Sequence, residues 1–554
     1  SALDTAVKRL FTARIKLGLF DPPQQVEYAR LPFSQVDSEE HRALAREVAN
    51  KSMVLLKNDH DTLPLHGART LAVIGPNADS LLALEGNYNG VPSHPVLPID
   101  GITRQFADTK VLYAQGAPHA EGLSLPVPRS ALHVKGDYFA TADFSGAPVF
   151  TRDEHTIDFD WNAASPAPGV PANAFSVRWT GTVAVPAPGD YTFSVNIGDC
   201  YPCQDRETYA LTFDGKTVSK RDSGEPKESR SHTNPDFTLH FADTQPHPIQ
   251  LEYTHRSPIF GAGISLRWKP PIAPLRDEAV AAARQADAVI ALVGLTSELE
   301  GEEMPVHVPG FAGGDRTDIA LPAAQQQLLE AVAATGKPLV VVLLNGSALA
   351  VTWAQEHAAA ILEAWYPGEE GGAAIAETLA GKNNPAGRLP LTFYASTSQL
   401  PPFDDYAMQN RTYRYFAGKP LYGFGYGLSY THFTYADLKL AGSSVKAGDP
   451  FHASVTVRND GKAPGDEVAE LYLARPAAQG NPVLRGVARV HLDAGESRDV
   501  SFELTPRDLS SVDTKGKRSV QPGEYSVMVG GAQPRDAEHV TGKFTITGSS
   551  PLPE

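Results

Sequence analysis

The sequence predicts a multidomain protein, part α/β and part all-β: an α/β sandwich with a parallel sheet, interrupted by an inserted β-sandwich and followed by a second β-sandwich at the carboxyl end. Three observations carry this. Continuous apolar strands alternate with helical patterns in two separate stretches, the pattern of a sheet covered on both faces. Two blocks of period-two alternation, broken by Gly, Pro and Asp turns, lie between and after them. One continuous strand, Val289 to Gly294, is followed at its exit by four carboxylates, Glu298, Glu300, Glu302 and Glu303. Open α/β sheets place ligands at the carboxyl ends of their strands.

A chain of 554 residues exceeds a single core and indicates roughly three or four domains. Its net charge of -16 and lack of a Lys/Arg cluster in the sequence argue against nucleic acid, which is bound through a basic patch. No apolar run is long enough to span a bilayer. The two cysteines, Cys200 and Cys203 in Cys-Tyr-Pro-Cys, lack the further ligands of a zinc site and the strand-helix context of a redox pair. A local disulfide or two idle thiols remain, and a disulfide would imply the periplasm or the outside of the cell.

Residues 1–37 begin with a helical spacing of Leu3, Ala6, Val7, Leu10, Ala13 and Leu17 that Gly18 to Pro23 stops. They are expected to form a linker cut from something larger. From Ser38-Glu39-Glu40, which opens a helix, to about 125 the grammar is α/β, with strands at Val54 to Leu56, Leu71 to Ile74 and Val111 to Ala114. Gly75-Pro76-Asn77 lacks the further glycines of a dinucleotide turn. Residues 126–274 alternate, as in Phe175 to Thr180, Tyr191 to Val195 and Ile264 to Trp268, which predicts an inserted antiparallel sandwich. The α/β pattern resumes over 275–399. Its units are the Val289 strand, a helix from Pro322 to Ala334, the strand Leu339 to Leu344, the segment Ile361 to Tyr366, and a helix after Gly371-Gly372. That pair lacks the Lys and Ser/Thr of a phosphate loop and is expected to serve close helix packing. Residues 400–432 form a crossing linker, and 433–548 alternate again as the second sandwich.

The order of short motifs resembles the carboxyl-terminal two thirds of glycoside hydrolase family 3, the β-glucosidase and β-xylosidase family. The motifs are Leu17-Gly18-Leu19-Phe20-Asp21, Val54 to Asn58, Leu63-Pro64-Leu65, Ala72 to Ala78, Asn384 to Pro390, Arg411 to Phe416 and Tyr422 to Tyr430. The insertion resembles the protective-antigen-type β-sandwich that some members carry, and the last domain resembles the family's fibronectin type III-like module.

The resemblance implies an exo-acting retaining β-glycosidase acting on terminal sugars of plant-type oligosaccharides. That chemistry needs two carboxyls about 5–5.5 Å apart and no metal or organic cofactor. In the family the nucleophile is an aspartate on an amino-terminal barrel, and the general acid/base is a glutamate on a loop of the α/β domain. The Glu-x-Glu pattern of the xylosidase-like branch falls on Glu300 and Glu302 and implies Glu302 as acid/base, with Glu300, Glu303 and Glu298 as alternatives. Crowded carboxylates are expected to raise one another's pKa, and Asp315 and Arg316 to pair and hold the loop. No eight-fold barrel pattern precedes residue 38, and Asp160-Trp161, the one pair resembling a nucleophile motif, falls in the insertion. The nucleophile is therefore expected on a partner barrel domain or chain, and this polypeptide alone is expected to be inactive. Gly86 to Pro92 resembles the xylosidase-like branch, so β-xylosidase is expected ahead of β-glucosidase. A non-catalytic carbohydrate-binding or adhesion protein is the reading from another class; it explains both sandwiches but leaves the acidic loop idle.

Overall fold

The computed structural model describes residues 1–198, 207–222, 235–256, 261–304, 306–475 and 480–553. Cys200 and Cys203 lie outside the described residues. Helix α1 (Ala2–Lys16) is capped by Ser1, and α2 (Glu39–Ser52) by Ser38, whose hydroxyl accepts from the His41 amide. Strands β1 (Val54–Asn58), β2 (Thr70–Ile74) and β3 (Lys110–Ala114), with α3 (Pro98–Gln105) between the last two, form the first half of the α/β unit. The second half runs through α4 (Ile272–Gln285), β4 (Ala288–Gly294), α5 (Ala323–Ala333), β5 (Leu339–Leu344), α6 (Thr352–His357), β6 (Ala360–Glu363) and α7 (Gly371–Leu379).

These six strands make one sheet in the order β1-β6-β5-β4-β2-β3. Five run parallel, as expected of the α/β sandwich, and β1 joins the edge antiparallel to β6. As an edge strand entered directly from α2, β1 needs no crossover, and α/β sheets commonly carry such an edge. Along β4, Val289, Ala291 and Val293 pack into one buried cluster, and Ile290 and Leu292 into the other. Continuous apolarity therefore reflects burial on both faces. Chain order reverses at β2: β3 lies on one side of it and β4 on the other. The exits of β2 and β4 are thus neighbours at a switch point, where such sheets bind ligands. The approach there is tight. A Cβ on Gly75 would sit 2.0 Å from the Leu292 carbonyl oxygen, and one on Gly294 2.0 Å from that of Leu344.

The insertion is a two-sheet sandwich. One six-stranded sheet contains Leu132–Phe139, Phe175–Val183 and His247–His255; a five-stranded sheet contains Gly189–Ile197 and Ala262–Lys269. The alternating inward residues, among them Tyr138, Phe175, Trp179, Tyr191, Phe193, Tyr253 and Trp268, are fully buried between the sheets. Its first strand, Leu125–Pro126, pairs with Ala262–Lys269, and α4 starts at Ile272, so the α/β unit resumes a few residues earlier than expected. The crossing segment then runs along β1: the Leu428 amide donates to the Leu55 carbonyl, and Tyr426 Oη to that of Leu56. A second sandwich closes the chain, with Phe433–Leu440, Phe451–Asn459 and Ser497–Leu504 in one sheet facing a five-stranded sheet that contains Gly465–Ala474 and Gly523–Gly530.

Candidate active site

Past Gly294 the chain leaves the sheet and turns so that the Leu299 and Glu300 amides donate to the Thr296 carbonyl. Leu299 is buried in the sheet's core and anchors the turn, which sends the flanking carboxylates in different directions. Three of the four find separate partners.

Glu298 accepts from Arg267 Nη2 at 2.7 Å. Arg267 belongs to the inserted sandwich, is nearly fully buried, and also donates to the Ser124 carbonyl at 2.7 Å. Glu300 turns inward: Tyr366 Oη donates to it at 2.7 Å, the Gly346 amide at 3.0 Å and Ser347 Oγ at 2.6 Å. Burial, and then the Glu300 charge, drive the Tyr366 phenol far above its usual range, so it stays a donor. Glu302 is exposed, and Tyr88 Oη donates to its Oε2; that bond raises the phenol's pKa. Glu303 is exposed too, with a left-handed backbone (φ 47°).

Arg316 holds the neighbouring strand exit. It donates to Ser347 Oγ at 3.0 Å, the Ala348 carbonyl at 2.8 Å and the Asp318 carbonyl at 3.1 Å. Burial lowers its pKa, with the Glu300 charge opposing. Among the described residues it makes no bond to Asp315, which is exposed and pairs through its backbone with Ala312. The expected Asp315–Arg316 pair is therefore corrected: the guanidinium fork is taken by backbone carbonyls and a hydroxyl.

Two buried carboxyls near the loop are raised. Glu363, at the end of β6 and fully buried, is pushed up to about 8 by desolvation, against the opposing effect of donation from the Trp365 amide and Asn345 Nδ2. Asn345 also donates to the Ser347 carbonyl, so Glu363 supports the turn that holds Glu300. Glu85, just before the Tyr88 loop, is pushed up to about 7 by burial and then by Asp160 and Asp158 of the insertion. A cleft of about 510 Å³ beside this loop is lined by Arg42, Glu85, Asn89, Tyr366 and Glu369 among others. At its rim Asp37, His94 and Glu369 each bring one ligand atom within 4.8 Å of the others, but Asp37 already engages Arg42 and Ser93.

The sequence reading singled out none of Ser347, Tyr366, Arg267 or Glu363 for the site. Ser347 and Tyr366 follow the ends of β5 and β6, and the rule that ligands gather at strand exits was signal enough to find them. Arg267 is 31 residues from Glu298 across a domain boundary and carries no such signal.

Sheet, switch point and acidic exit loop together place a group of carboxylates at a strand exit of an α/β sandwich that adjoins two β-sandwiches. The chain belongs to glycosyl hydrolase family 3: residues 53–430 match the family's C-terminal domain and residues 467–533 a fibronectin type III-like domain. It is 32% identical over 543 residues to a xylan 1,4-beta-xylosidase of Xylanibacter ruminicola, covering 95% of this chain and 61% of that protein. It is 30% identical over 553 residues to a periplasmic beta-glucosidase of Salmonella typhimurium, covering 95% of this chain and 54% of that one. The chain thus spans just over half the length of these curated relatives. Its fold resembles the solved beta-glucosidase of Kluyveromyces marxianus (TM-score 0.67, 24% identity, covering 93% of this chain and 64% of that one). A b-glucosidase of Erythrobacter marinus is also similar (TM-score 0.63, 26% identity, 98% and 55%).

Proposed function

We propose that this chain carries the general acid/base of an exo-acting retaining β-glycosidase, a β-xylosidase ahead of a β-glucosidase, with Glu302 as the proton donor. The observation that carries this is the division of labour in the loop. Glu298 is tied to Arg267 and Glu300 to three donors, whereas Glu302 stands exposed with a single phenol on Oε2. Among the described residues Oε1 accepts no hydrogen bond, so it can give a proton to a leaving-group oxygen and, in the second half of a retaining cycle, take one from water. Tyr88 fixes the orientation of the carboxyl.

The nucleophile is proposed to come from an aspartate on a barrel domain that packs beside this loop. Exposed apolar side chains along residues 1–48, including Leu10, Ile15, Phe20, Phe33, Leu44 and Val48, support such a contact, since surface patches of this kind mark interaction sites. The proposed substrates are oligosaccharides with a terminal β-linked xylose, and the name of the Salmonella relative supports a periplasmic or extracellular setting. Among the described residues no helix is long and apolar enough to cross a membrane.

In a form that contains the barrel, Glu302→Ala is expected to lower kcat on a β-xyloside by about 10²–10⁴-fold, with azide restoring turnover as a glycosyl azide. Unchanged activity would move the role to Glu300 or Glu303. The 554-residue chain alone is expected to turn over neither β-xyloside nor β-glucoside, and clear turnover would sink the two-part site. A chain that binds xylan while its barrel-containing form hydrolyses nothing would favour a non-catalytic carbohydrate-binding protein.

A further inference from the structure

Four arginines gather where the C-terminal sandwich meets the crossing segment. Arg414 lies on the short helix Thr412–Tyr415, Arg475 directly follows the strand Gly465–Ala474, Arg485 lies on the neighbouring strand Val483–Leu492, and Arg518 opens the strand Arg518–Val520. The register Leu473↔Val483 brings the ends of the two long strands together. Asn481, just before the second strand, is strapped to the helix: its amide donates to the Arg414 carbonyl at 2.8 Å, and its Nδ2 to that of Tyr413 at 2.6 Å. Gly480 (φ +90°) permits this approach, since a Cβ there would sit 2.3 Å from the Arg414 carbonyl oxygen.

Among the described residues none of the four is in an ion pair. Arg475 Nη1 donates to the Ser510 carbonyl and Arg518 Nη1 to Ser510 Oγ. Among the described residues Arg414 Nε and Arg485 Nε are buried without a hydrogen-bond partner, although the Arg414 guanidinium lies over the Tyr415 ring at 5.4 Å. A cleft of about 60 Å³ lies between Arg414, Arg475 and the Gly480 to Val483 backbone. Burial lowers the pKa of both Arg475 and Arg485, and so does the charge of the neighbouring arginines, with Asp508 opposing on Arg485.

In a chain with 64 acidic and 48 basic residues, a guanidinium finds a carboxylate easily. Half-buried like charges with unmade donors are costly, and an anion seated among them removes both penalties. We propose that this cluster binds a small oxyanion, namely a sulfate, a phosphate or the carboxylate of an acidic sugar. The guanidinium fork matches each of these bidentately, and the cleft has room for several waters or one tetrahedral ion.

The test is calorimetry and thermal unfolding of the 554-residue chain with sulfate, phosphate, glucuronate and chloride at matched ionic strength. Sulfate, phosphate or glucuronate is expected to raise Tm saturably with heat of binding, and chloride is not. A stronger response to glucuronate assigns an acidic sugar, and a stronger response to phosphate or sulfate assigns an inorganic ion. Arg485→Gln, and Arg475→Gln as a second variant should the first fold poorly, is expected to weaken the apparent Kd at least about tenfold. The Tm of Arg485→Gln without oxyanion should equal or exceed that of the parent, because a repulsion is gone. A linear, unsaturated rise shared by parent and variants would be ion exclusion from the surface and would overturn the site. So would the absence of heat with all three oxyanions.

Discussion

Glu300 and Glu302 are two positions apart and meet different surroundings. The turn around buried Leu299 points the first toward Tyr366 and Ser347, and the second toward solvent and Tyr88. Behind them Glu363 gives a pH-dependent term. Its carboxyl ionises near 4.5 when unfolded and near 8 when folded, so its contribution to stability is full below about pH 4.5 and is lost as pH rises through about 8. Glu363→Gln is therefore expected to flatten the Tm profile between those values, with the variant gaining on the parent toward pH 8. Glu85 and Glu470, both raised to about 7, titrate in the same window in both proteins and cancel in the comparison. Parallel Tm curves would show that Glu363 is ionised throughout.

Helices α3 and α7 approach closely through glycine. A Cβ on Gly372 would lie 2.3 Å from the carbonyl oxygens of both Val96 and Leu97, and one on Gly101 2.0 Å from that of Gly372. The Gly371-Gly372 pair was legible as a packing device because no phosphate-loop residues follow it. Gly372→Ala tests the balance of two effects: alanine favours a helix by about 1 kcal/mol, while forcing backbone apart costs about 1–3 kcal/mol. A net loss in Tm is expected, and a gain would mean that the helices slide apart freely. Element identity was likewise legible for β4 and β5, whose alternate residues enter opposite cores. The direction of β1 was not, since an apolar run at a sheet edge fits either orientation.

At the scale of the molecule, the insertion is joined to the acidic loop rather than merely spaced from it. Arg267 joins the Glu298 carboxylate to the Ser124 backbone and lies near Asp158. Removing the guanidinium from this nearly buried site leaves carboxylates without a cation, a change that costs up to about 3–5 kcal/mol when fully buried. The Glu298 side chain is 34% exposed, so solvent screening brings the expected loss for Arg267→Met to about 1–3 kcal/mol. Urea unfolding measures it, and Arg267→Met with Glu298→Gln should recover part of the loss. No recovery would mean that Arg267 acts through packing alone.

Periodicity and motif order sufficed to determine the α/β and all-β blocks, the discontinuity of the sheet and the family, because burial on one face or two imprints a local repeat on the residues themselves. The strand-exit position of the acidic loop was determined in the same way. That Glu302 and Glu303 are left exposed while Glu298 and Glu300 are engaged, that Arg316 binds backbone and a hydroxyl rather than Asp315, and that Arg414 and Arg475 line one cleft with Arg485 and Arg518 nearby were decided only by the tertiary structure. Those outcomes depend on partners brought together from distant parts of the chain, and no local repeat records them.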